Sequence, residues 1–361
     1  MKQFLFEPNI YPTENFIIEN HIFTIDIHTH ILPEVIPNFA NKFGYGGFVS
    51  LDKKIHKPDG SCCAKMMIDG KFFREVEENC WSSKKRLEEC KNFGVDVQVL
   101  STIPVMFAYW AKANDGLEWS KFLNDHIAEI CTNNPKHFVG LGTVPLQAPR
   151  LAIQELERCK KIGMRGVQIG SHVNDWNLND ENLFEFFTAC QDLEMSVFVH
   201  PWEMMGQEKM QKYWLPWLVG MPAETSLAIC SMIFGGVFEK LPHLKVAFAH
   251  GGGSFPSTIG RIEHGYNCRP DLVAVDNPIN PRDYLGKFWL DSLVHDEFTL
   301  KNLIELIGEE KIALGSDYPF PLGENIPGNL INKMRLSNEI KETLLHKSAL
   351  DWLGLKKEIF L

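Results

Sequence analysis

Short apolar runs recur along the chain, and stretches with helical spacing lie between them. Near-continuous apolar runs of five to seven residues are typical of parallel strands that are buried on both faces. Segments such as 150–163 and 226–242 carry apolar residues at the spacing of a helix. The eight apolar runs cover residues 23–28, 95–101, 138–144, 166–170, 195–200, 244–250, 288–293 and 312–317.

This alternation of strand and helix, repeated eight times, predicts an α/β protein with a (β/α)8 TIM-type barrel. A doubly wound open sheet is the alternative. Residues 29–94 interrupt the rhythm, because they are too many for a simple crossover between the first two strands. We therefore predict a small insertion subdomain at about residues 35–80. It would interrupt a barrel domain at residues 23–361, with residues 1–22 as an N-terminal extension.

Composition narrows the possible classes of protein. Of the 361 residues, 45% are hydrophobic and 23% charged, which excludes a disordered chain. The length alone suggests two domains, but single barrels also reach this size. A formal charge of −10 argues against nucleic acid or an anionic membrane as a partner. A small anionic substrate stays open if a few arginines are concentrated in one place.

No secretory signal is predicted at the N-terminus, and no uninterrupted apolar run has the length of a membrane span. The nine cysteines are odd in number and lie mostly in amphipathic patterns. Both features predict reduced thiols in a cytoplasmic protein. The adjacent Cys62 and Cys63 also fit a metal or redox pair, but no second Cys or His pair stands at finger spacing.

Polar residues that can bind metals stand at the ends of several predicted strands. His28 and His30 are two apart on an extended chain, so both side chains face one side. The carboxyl ends of barrel strands meet at one mouth, where active sites lie. With His200 and Asp317 the two histidines would complete a His₃Asp site for Zn²⁺.

His250 ends the sixth predicted strand, and we expect it to act as an acid or base rather than as a ligand. Three glycines follow it and allow close approach of backbone or substrate. A near-neutral pKa suits imidazole to proton exchange with water at the metal. The alternative is a second metal at His250. Binuclear barrels usually carry a carboxylated Lys after the fourth strand, but GVQIGSHV contains no Lys, which favours a mononuclear site.

Arginine and aromatic residues are the candidates for substrate binding. A guanidinium pairs bidentately with a carboxylate, so arginines at the mouth would select an acid. Trp202 and Trp217, the second in the WLPW cluster, either line a pocket for a flat conjugated molecule or belong to the core. The candidate arginines are Arg74 in the insertion and Arg261 and Arg269 after the sixth strand.

Longer motifs run from about residue 23 to residue 355. They are IDIHTHILPE, FGYGG, NCW, STIPVMFAYWAK, FVGLGTVPLQAP, FVHPWEM, KYWLPWLVGMPAET, FAHGGGSFP, NPINP, LVHD and GSDYPFPLGE. On these motifs the chain resembles the α-amino-β-carboxymuconate-ε-semialdehyde decarboxylase family of the amidohydrolase superfamily. The metal motifs are shared across the superfamily, whereas YWLPWLVGMPAET with HGGGSFP and DYPFPLGE is more specific. The chain departs from the family before residue 23 and around residues 52–67.

The resemblance implies a function and assigns roles to the candidate residues. It implies zinc-dependent, non-oxidative decarboxylation of 2-amino-3-carboxymuconate 6-semialdehyde to 2-aminomuconate 6-semialdehyde. This step belongs to tryptophan catabolism by the kynurenine pathway and diverts flux from quinolinate. One Zn²⁺ per subunit would be held by the four residues at the strand ends, with His250 activating water. Arg74 would bind a substrate carboxylate, and Arg261 and Arg269 would enter the neighbouring site of a homodimer.

Two rival functions use the same residues. A mononuclear zinc hydrolase, such as a lactonase or amidase, would attack a carbonyl with the same ligands and His250. The three arginines favour a multiply charged acid over a neutral amide or lactone. The other rival is a catalytically inactive barrel kept as a binding protein, which the intact ligand set disfavours.

Overall fold

The computed structural model describes residues 21–52, 55–56 and 62–361. The predicted N-terminal extension lies outside the described residues, apart from residues 21 and 22. In the described parts of the chain the strands are β1 (Ile25–Ile31), β2 (Val49–Leu51), β3 (Ile55–His56), β4 (Cys62–Ile68), β5 (Lys71–Glu77), β6 (Val97–Thr102), β7 (Phe138–Gly142), β8 (Gly166–Gly170), β9 (His172–Val173), β10 (Trp176–Asn177), β11 (Ser196–His200), β12 (Val246–Phe248), β13 (Trp289–Asp291) and β14 (Ile312–Ala313).

Helices follow most of the long strands. They are α1 (Phe39–Phe43), α2 (Ser83–Phe93), α3 (Ala113–Asn133), α4 (Pro149–Lys161), α5 (Glu181–Asp192), α6 (Met221–Phe234), α7 (Val237–Lys240), α8 (Phe255–Cys268), α9 (Pro270–Val273), α10 (Glu297–Ile307), α11 (Asn329–Lys333), α12 (Asn338–Glu342) and α13 (Ser348–Leu353). Short 3-10 and π turns join several of them, including the 3-10 turn His250–Gly252 directly after β12.

Eight parallel strands form the main sheet, in the order β1-β6-β7-β8-β11-β12-β13-β14. They coincide with the eight apolar runs of the sequence. The chain after β14 returns to β1, where Thr29 and Tyr318 form a parallel bridge and Asp317 N–H donates to the His28 carbonyl at 2.9 Å. These contacts bring the last strand of the sheet back to the first. The predicted TIM-type barrel is confirmed, and the open doubly wound sheet is wrong.

The barrel strands have an apolar interior and an apolar outer face. Along β6, Val97 and Val99 belong to the interior cluster, whereas Leu100 packs in the larger cluster that includes helical residues. Trp352 of α13 is buried in the interior cluster. Gly166 begins β8, and a Cβ there would lie 2.2 Å from the Ser196 carbonyl oxygen, so the contact with β11 needs glycine.

A second, antiparallel sheet lies in the chain between β1 and β6. β4 pairs with β2, β3 and β5, and it is therefore the centre of this sheet. Its buried side chains form one cluster with Trp119 of α3, whose indole N–H donates to the Met106 carbonyl at 2.7 Å. This sheet falls within the range, about residues 35–80, where an insertion subdomain was predicted. Cys62 and Cys63 are buried on β4, and the described residues form no disulfide.

One helical stretch in the described residues is long and apolar enough to cross a membrane. It covers Pro216–Phe234, 19 residues with a mean hydropathy of 1.4, and 44% of it is buried. Ala228, Ile229 and Met232 of this stretch are fully buried in the main hydrophobic core. The stretch is therefore packed as a core helix of the barrel.

Candidate metal centre and active site

Three imidazoles and one carboxylate converge at the mouth of the barrel. His28 and His30 come from β1, His200 ends β11, and Asp317 follows β14. One possible ligand atom from each lies within 4.8 Å of all the others. His30 Nε2 is 3.0 Å from Asp317 Oδ1 and 3.2 Å from His28 Nε2. The structure thus brings together the four residues that strand ends and the family resemblance proposed as ligands.

The contacts of the three Nδ1 atoms show which way the Nε2 lone pairs of the imidazoles point. His30 Nδ1 lies 3.0 Å from the Thr102 carbonyl oxygen, and His200 Nδ1 lies 2.8 Å from that of Pro201. A carbonyl oxygen only accepts, so both Nδ1 atoms carry the proton. His28 Nδ1 donates in the same way to the Asp291 carboxylate at 2.7 Å. All three Nε2 lone pairs therefore face one point.

Such an arrangement is suited to binding a cation. His200 Nε2 is buried and has no hydrogen-bond partner among the described residues. Two imidazole lone pairs at 3.2 Å repel unless a proton or a metal ion lies between them. Second hydrogen bonds from Nδ1 to carbonyl or carboxylate oxygens are the usual support of metal-binding histidines. The donor set of three nitrogens and one carboxylate oxygen fits a divalent transition metal.

The protonation states also suit metal binding. Burial lowers the pKa of His200 well below its ordinary value, and the neighbouring imidazoles lower it further. Burial likewise lowers the pKa of His30. Burial alone would raise the pKa of Asp317, but the neighbouring imidazoles of His250 and His30 hold it well below the ordinary value. Neutral imidazoles and an ionised carboxylate are the forms that bind metal.

His250 lies beside these four residues rather than among them. Its Nε2 is 3.9 Å from Asp317 Oδ2, and its ring centre is 5.2 Å from that of His28. Its backbone is left-handed with φ +57°, and the three following glycines also have positive φ. Burial lowers the pKa of His250, but the nearby Asp317 carboxylate outweighs this effect and raises the pKa overall. A proton held here lies within reach of a molecule bound at the mouth.

Asp291 is a residue of this site to which the sequence analysis assigned no role. It ends β13 and is fully buried. Burial would raise its pKa, but the hydrogen bond and charge of His28 lower it below the ordinary value. The sequence feature that could have indicated Asp291 is its position at the end of a predicted strand, where other residues of the site also lie.

Arg74 on β5 lies at the same mouth. The Arg74 guanidinium carbon lies 4.8 Å from the ring centre of Phe320 and 5.5 Å from that of Phe73. The Phe320 ring is in turn 5.6 Å from the His30 ring. Burial lowers the pKa of Arg74, and the charge of Asp317 opposes this effect. The guanidinium is therefore stacked close to the candidate ligands.

The two tryptophans have different surroundings. Trp202, two residues after His200, is buried and packs edge-on against Tyr109 and Phe107 at 5.9 and 6.0 Å. Its indole nitrogen is buried without a hydrogen-bond partner among the described residues. Trp217 is half-buried and packs against Trp214 at 5.9 Å. Only Trp202 lies directly next to a candidate ligand in the chain.

Arg261 and Arg269 lie elsewhere on the surface of this chain. Arg261 is exposed on α8, and Arg269 follows the helix and pairs with both oxygens of Asp271 at 2.6 and 2.8 Å. No contact recorded among the described residues joins either arginine to the four candidate ligands. Within one chain the structure does not bring them to the site.

The chain has close relatives of known family. A model of the family described as Amidohydrolase matches residues 25–355. The chain is 60% identical over 339 residues to 2-amino-3-carboxymuconate-6-semialdehyde decarboxylase of Dictyostelium discoideum, covering 93% of both chains. It is 39% identical to the Caenorhabditis elegans enzyme of the same name, covering 93% of this chain and 95% of that one. The chain belongs to this decarboxylase family of amidohydrolases. The resemblance and the expectation of a decarboxylase are confirmed at the level of the family.

Solved structures of lower identity share the fold. Metarhizium anisopliae IDCase in apo form matches with a TM-score of 0.78 and 20% identity, over 93% of this chain and 98% of that one. Dihydroxybenzoic acid decarboxylase from Polaromonas, with bound manganese and an inhibitor, matches with a TM-score of 0.74 and 19% identity. That match covers 92% of this chain and 97% of the Polaromonas chain. At these identities the likeness concerns the barrel fold alone.

Proposed function

We propose that the protein catalyses metal-dependent, non-oxidative decarboxylation of 2-amino-3-carboxymuconate 6-semialdehyde to 2-aminomuconate 6-semialdehyde. The observation that carries the proposal is the convergence of three imidazole lone pairs and the Asp317 carboxylate beside His250 and Arg74. The identity of the substrate is inferred from the family to which the relatives belong. The reaction would serve tryptophan breakdown by the kynurenine pathway in the cytoplasm, diverting flux from quinolinate.

The metal we propose is one Zn²⁺ per subunit, held by His28, His30, His200 and Asp317. A ligand set dominated by imidazole, with a single carboxylate, suits Zn²⁺ among the common divalent ions. When bound, the ion supplies a Lewis acid and lowers the pKa of nearby water. Metal analysis of protein purified without added metal tests this assignment. Stoichiometric manganese or iron instead of zinc would contradict it.

The residues around this site have distinct roles in the proposal. His250 delivers a proton to the carbon whose C–C bond breaks as CO₂ leaves and then takes its next proton from solvent, since its imidazole lies beside the candidate metal ligands and imidazole exchanges protons near neutral pH. Arg74 binds a carboxylate of the substrate, and the flanking rings of Phe73 and Phe320 fix the plane of its guanidinium. Trp202 and Trp217 line the walls of the substrate pocket.

We further propose a homodimer in which Arg261 and Arg269 reach the site of the second copy. Both are exposed, and a guanidinium from a second copy would offer a further bidentate partner to a carboxylate of the substrate. Leu272 and Val275, which follow Arg269 closely, are 63% and 70% exposed. Exposed apolar side chains next to arginines are typical of protein–protein contacts.

Mixing two inactive variants tests this dimer. We expect H250N and R269A to be inactive alone, and to regain activity when their subunits are exchanged. In the mixed dimer, the site of the R269A chain combines its own intact His250 with the intact Arg269 of the H250N chain. One of the two sites is therefore restored. Absence of recovery, with subunit exchange verified, would contradict the shared site.

The substrate assay generates the unstable semialdehyde in situ from 3-hydroxyanthranilate with a dioxygenase. Addition of the zinc-loaded protein is expected to speed the loss of semialdehyde absorbance, with one CO₂ released per molecule consumed. H250N is the matched control for non-specific decay. Loss of absorbance without CO₂ release would favour a hydrolase, and no effect of the zinc-loaded protein would refute the proposed function.

A further inference from the structure

The buried carboxylate of Asp291 connects two parts of the site. Its Oδ2 accepts a hydrogen bond from His28 Nδ1 at 2.7 Å and another from the His250 backbone N–H at 2.9 Å. Its Oδ1 accepts from the Gly251 N–H at 2.8 Å and from the Leu293 N–H at 3.1 Å. One side chain thus holds a candidate metal ligand on β1 and the backbone of the acid–base candidate after β12.

The bond to His28 fixes both the tautomer and the orientation of that ring. With Nδ1 protonated and held by Asp291, Nε2 keeps its lone pair and faces His30 and Asp317. A carboxylate in this position also makes the imidazole a better donor to a metal. Without this hydrogen bond, nothing keeps the proton of His28 on Nδ1 rather than on Nε2.

The bonds to His250 and Gly251 hold an unfavourable backbone. His250 has φ +57° and Gly251 has φ +60°. A left-handed conformation is unfavourable for a residue other than glycine, so neighbouring contacts must maintain it at His250. The two N–H groups held by Asp291 belong to this turn, and they fix the direction in which the His250 ring leaves the chain.

We infer that Asp291 is a positioning residue that sets the distance between His28 and His250, and so couples metal binding to the acid–base step. The inference rests on the proposed function. Asp291 itself contacts neither substrate nor the open side of the mouth, because it is fully buried. It acts through the two histidines, since His28 Nδ1 and the His250 backbone N–H both bind its Oδ2.

Both oxygens take part in this role, because Oδ2 binds His28 and the His250 N–H while Oδ1 binds the Gly251 N–H of the same turn. An Asn side chain has nearly the same shape but only one acceptor oxygen, and its NH₂ group donates. In D291N one oxygen can serve Gly251 and Leu293, or His28 and His250, but not both pairs. The other pair of N–H groups then faces the NH₂ group of Asn, which donates and cannot accept from them. The variant therefore removes one connection with little change in volume.

The test compares D291N with the wild type in two measurements. Zn²⁺ affinity of the metal-free protein, by competition with a chromophoric chelator, is expected to fall 10- to 100-fold, the range typical of lost support to a metal-binding histidine. At saturating Zn²⁺, kcat for decarboxylation is expected to fall about 10- to 100-fold with KM changed less than about threefold, because misplacement of a reacting group by about 1 Å has effects of this size. Substitution of Co²⁺ is expected to give an altered visible spectrum.

E155Q is the matched control, because Glu155 is also a fully buried carboxylate but lies on α4, where it pairs with Arg158 and Asn124. We expect it to lower stability and leave Zn²⁺ affinity and kcat within about threefold. Equal losses in E155Q and D291N would overturn the inference, as would wild-type affinity and kcat in D291N. If D291N does not fold, D291S, which leaves room for a bridging water, carries the same comparison. Failure of the wild type to decarboxylate would refute the proposed function, and the chelator measurement would still decide the role of Asp291.

Discussion

Gly315 lies directly behind the pair formed by His28 and Asp291, and G315A tests how tightly that pair is packed. A Cβ at position 315 would be 2.7 Å from Asp291 Cβ and 2.8 Å from His28 Cβ. Carbon atoms in contact prefer about 3.5–4.0 Å, so the chain at position 315 and its neighbours on β1 and β13 must separate by about 0.7 Å or more. The φ of Gly315 is not left-handed, and the strain is therefore steric alone.

Two effects of G315A are expected, and they add. Overpacking of a dense core typically costs about 1–3 kcal/mol, so the metal-free protein should unfold at a lower urea concentration. Displacement of His28 should also weaken Zn²⁺ binding. A tenfold weaker Kd reduces the stabilisation by excess Zn²⁺ by about 1.4 kcal/mol, so the gap between wild type and variant should widen when the metal is added.

Urea unfolding with and without Zn²⁺, together with chelator competition, measures both effects. G260A is the control, because a Cβ at position 260 of α8 meets nothing within 4 Å. It should be neutral or stabilising by up to about 1 kcal/mol. If G315A unfolded like the wild type in both conditions, the conclusion that His28 and Asp291 are tightly packed against position 315 would be refuted.

Four further variants test other parts of the molecule. H250N should lower kcat by about 10²–10⁴-fold while the protein keeps its Zn²⁺, as steady-state kinetics and metal analysis would show. R74K keeps the charge but loses bidentate pairing, so the KM for the semialdehyde should rise about tenfold with a smaller change in kcat. R86M should destabilise the protein by about 3 kcal/mol in urea unfolding, because the fully buried Arg86 donates to the carbonyls of His30 and Asn79 and to the Gln98 amide. Burial lowers the pKa of His126 from 6.5 to about 4, so the unfolded chain binds the proton first and stability falls by about 3 kcal/mol from pH 6.5 to pH 4; H126Q should remove part of this fall.

Each of these expectations can fail in a distinct way. More than about a tenth of wild-type turnover in zinc-loaded H250N would contradict the acid–base role. An unchanged KM in R74K would place the substrate carboxylate elsewhere. For Arg86, a wild-type urea midpoint in R86M would mean that its hydrogen bonds add no net stability. Parallel stability curves for H126Q and wild type between pH 4 and pH 6.5 would mean that His126 is not buried as described.

The sequence was sufficient for the barrel and for the four residues that converge at its mouth. Each barrel strand is an apolar run that can be recognised in the sequence without knowledge of the neighbouring strands. Because the strands are parallel, a polar residue at the carboxyl end of each one lies at the same mouth of the barrel. His200 and Asp317 were found in this way. The two-residue spacing of His28 and His30 is equally local.

Other features depend on contacts that no local pattern encodes. Asp291 lies 263 residues from His28, and the carboxylate of an FWLD segment has no signal that distinguishes a partner of histidine from a strand-end cap. Arg86 reads as an ordinary helix-surface residue in SKKRLEECKNF, yet it is fully buried against β1 and β6. The pairing of β4 with β2, β3 and β5 likewise requires registers that the alternating pattern leaves undetermined. Such features need the tertiary structure.

The return of the chain from β14 to β1 gives the candidate ligands an unusual distribution along the polypeptide. His28 and His30 belong to the first barrel strand and Asp317 to the segment after the last, so they meet only where the two ends of the ring join. A ribosome-bound chain lacking its final fifty residues therefore carries three of the four ligands but no closed ring. An ion bound across this seam stabilises the finished barrel as a whole rather than one element of it. Acquisition of the metal would then mark the completion of folding, and its loss would weaken the ring first at the junction of β14 with β1.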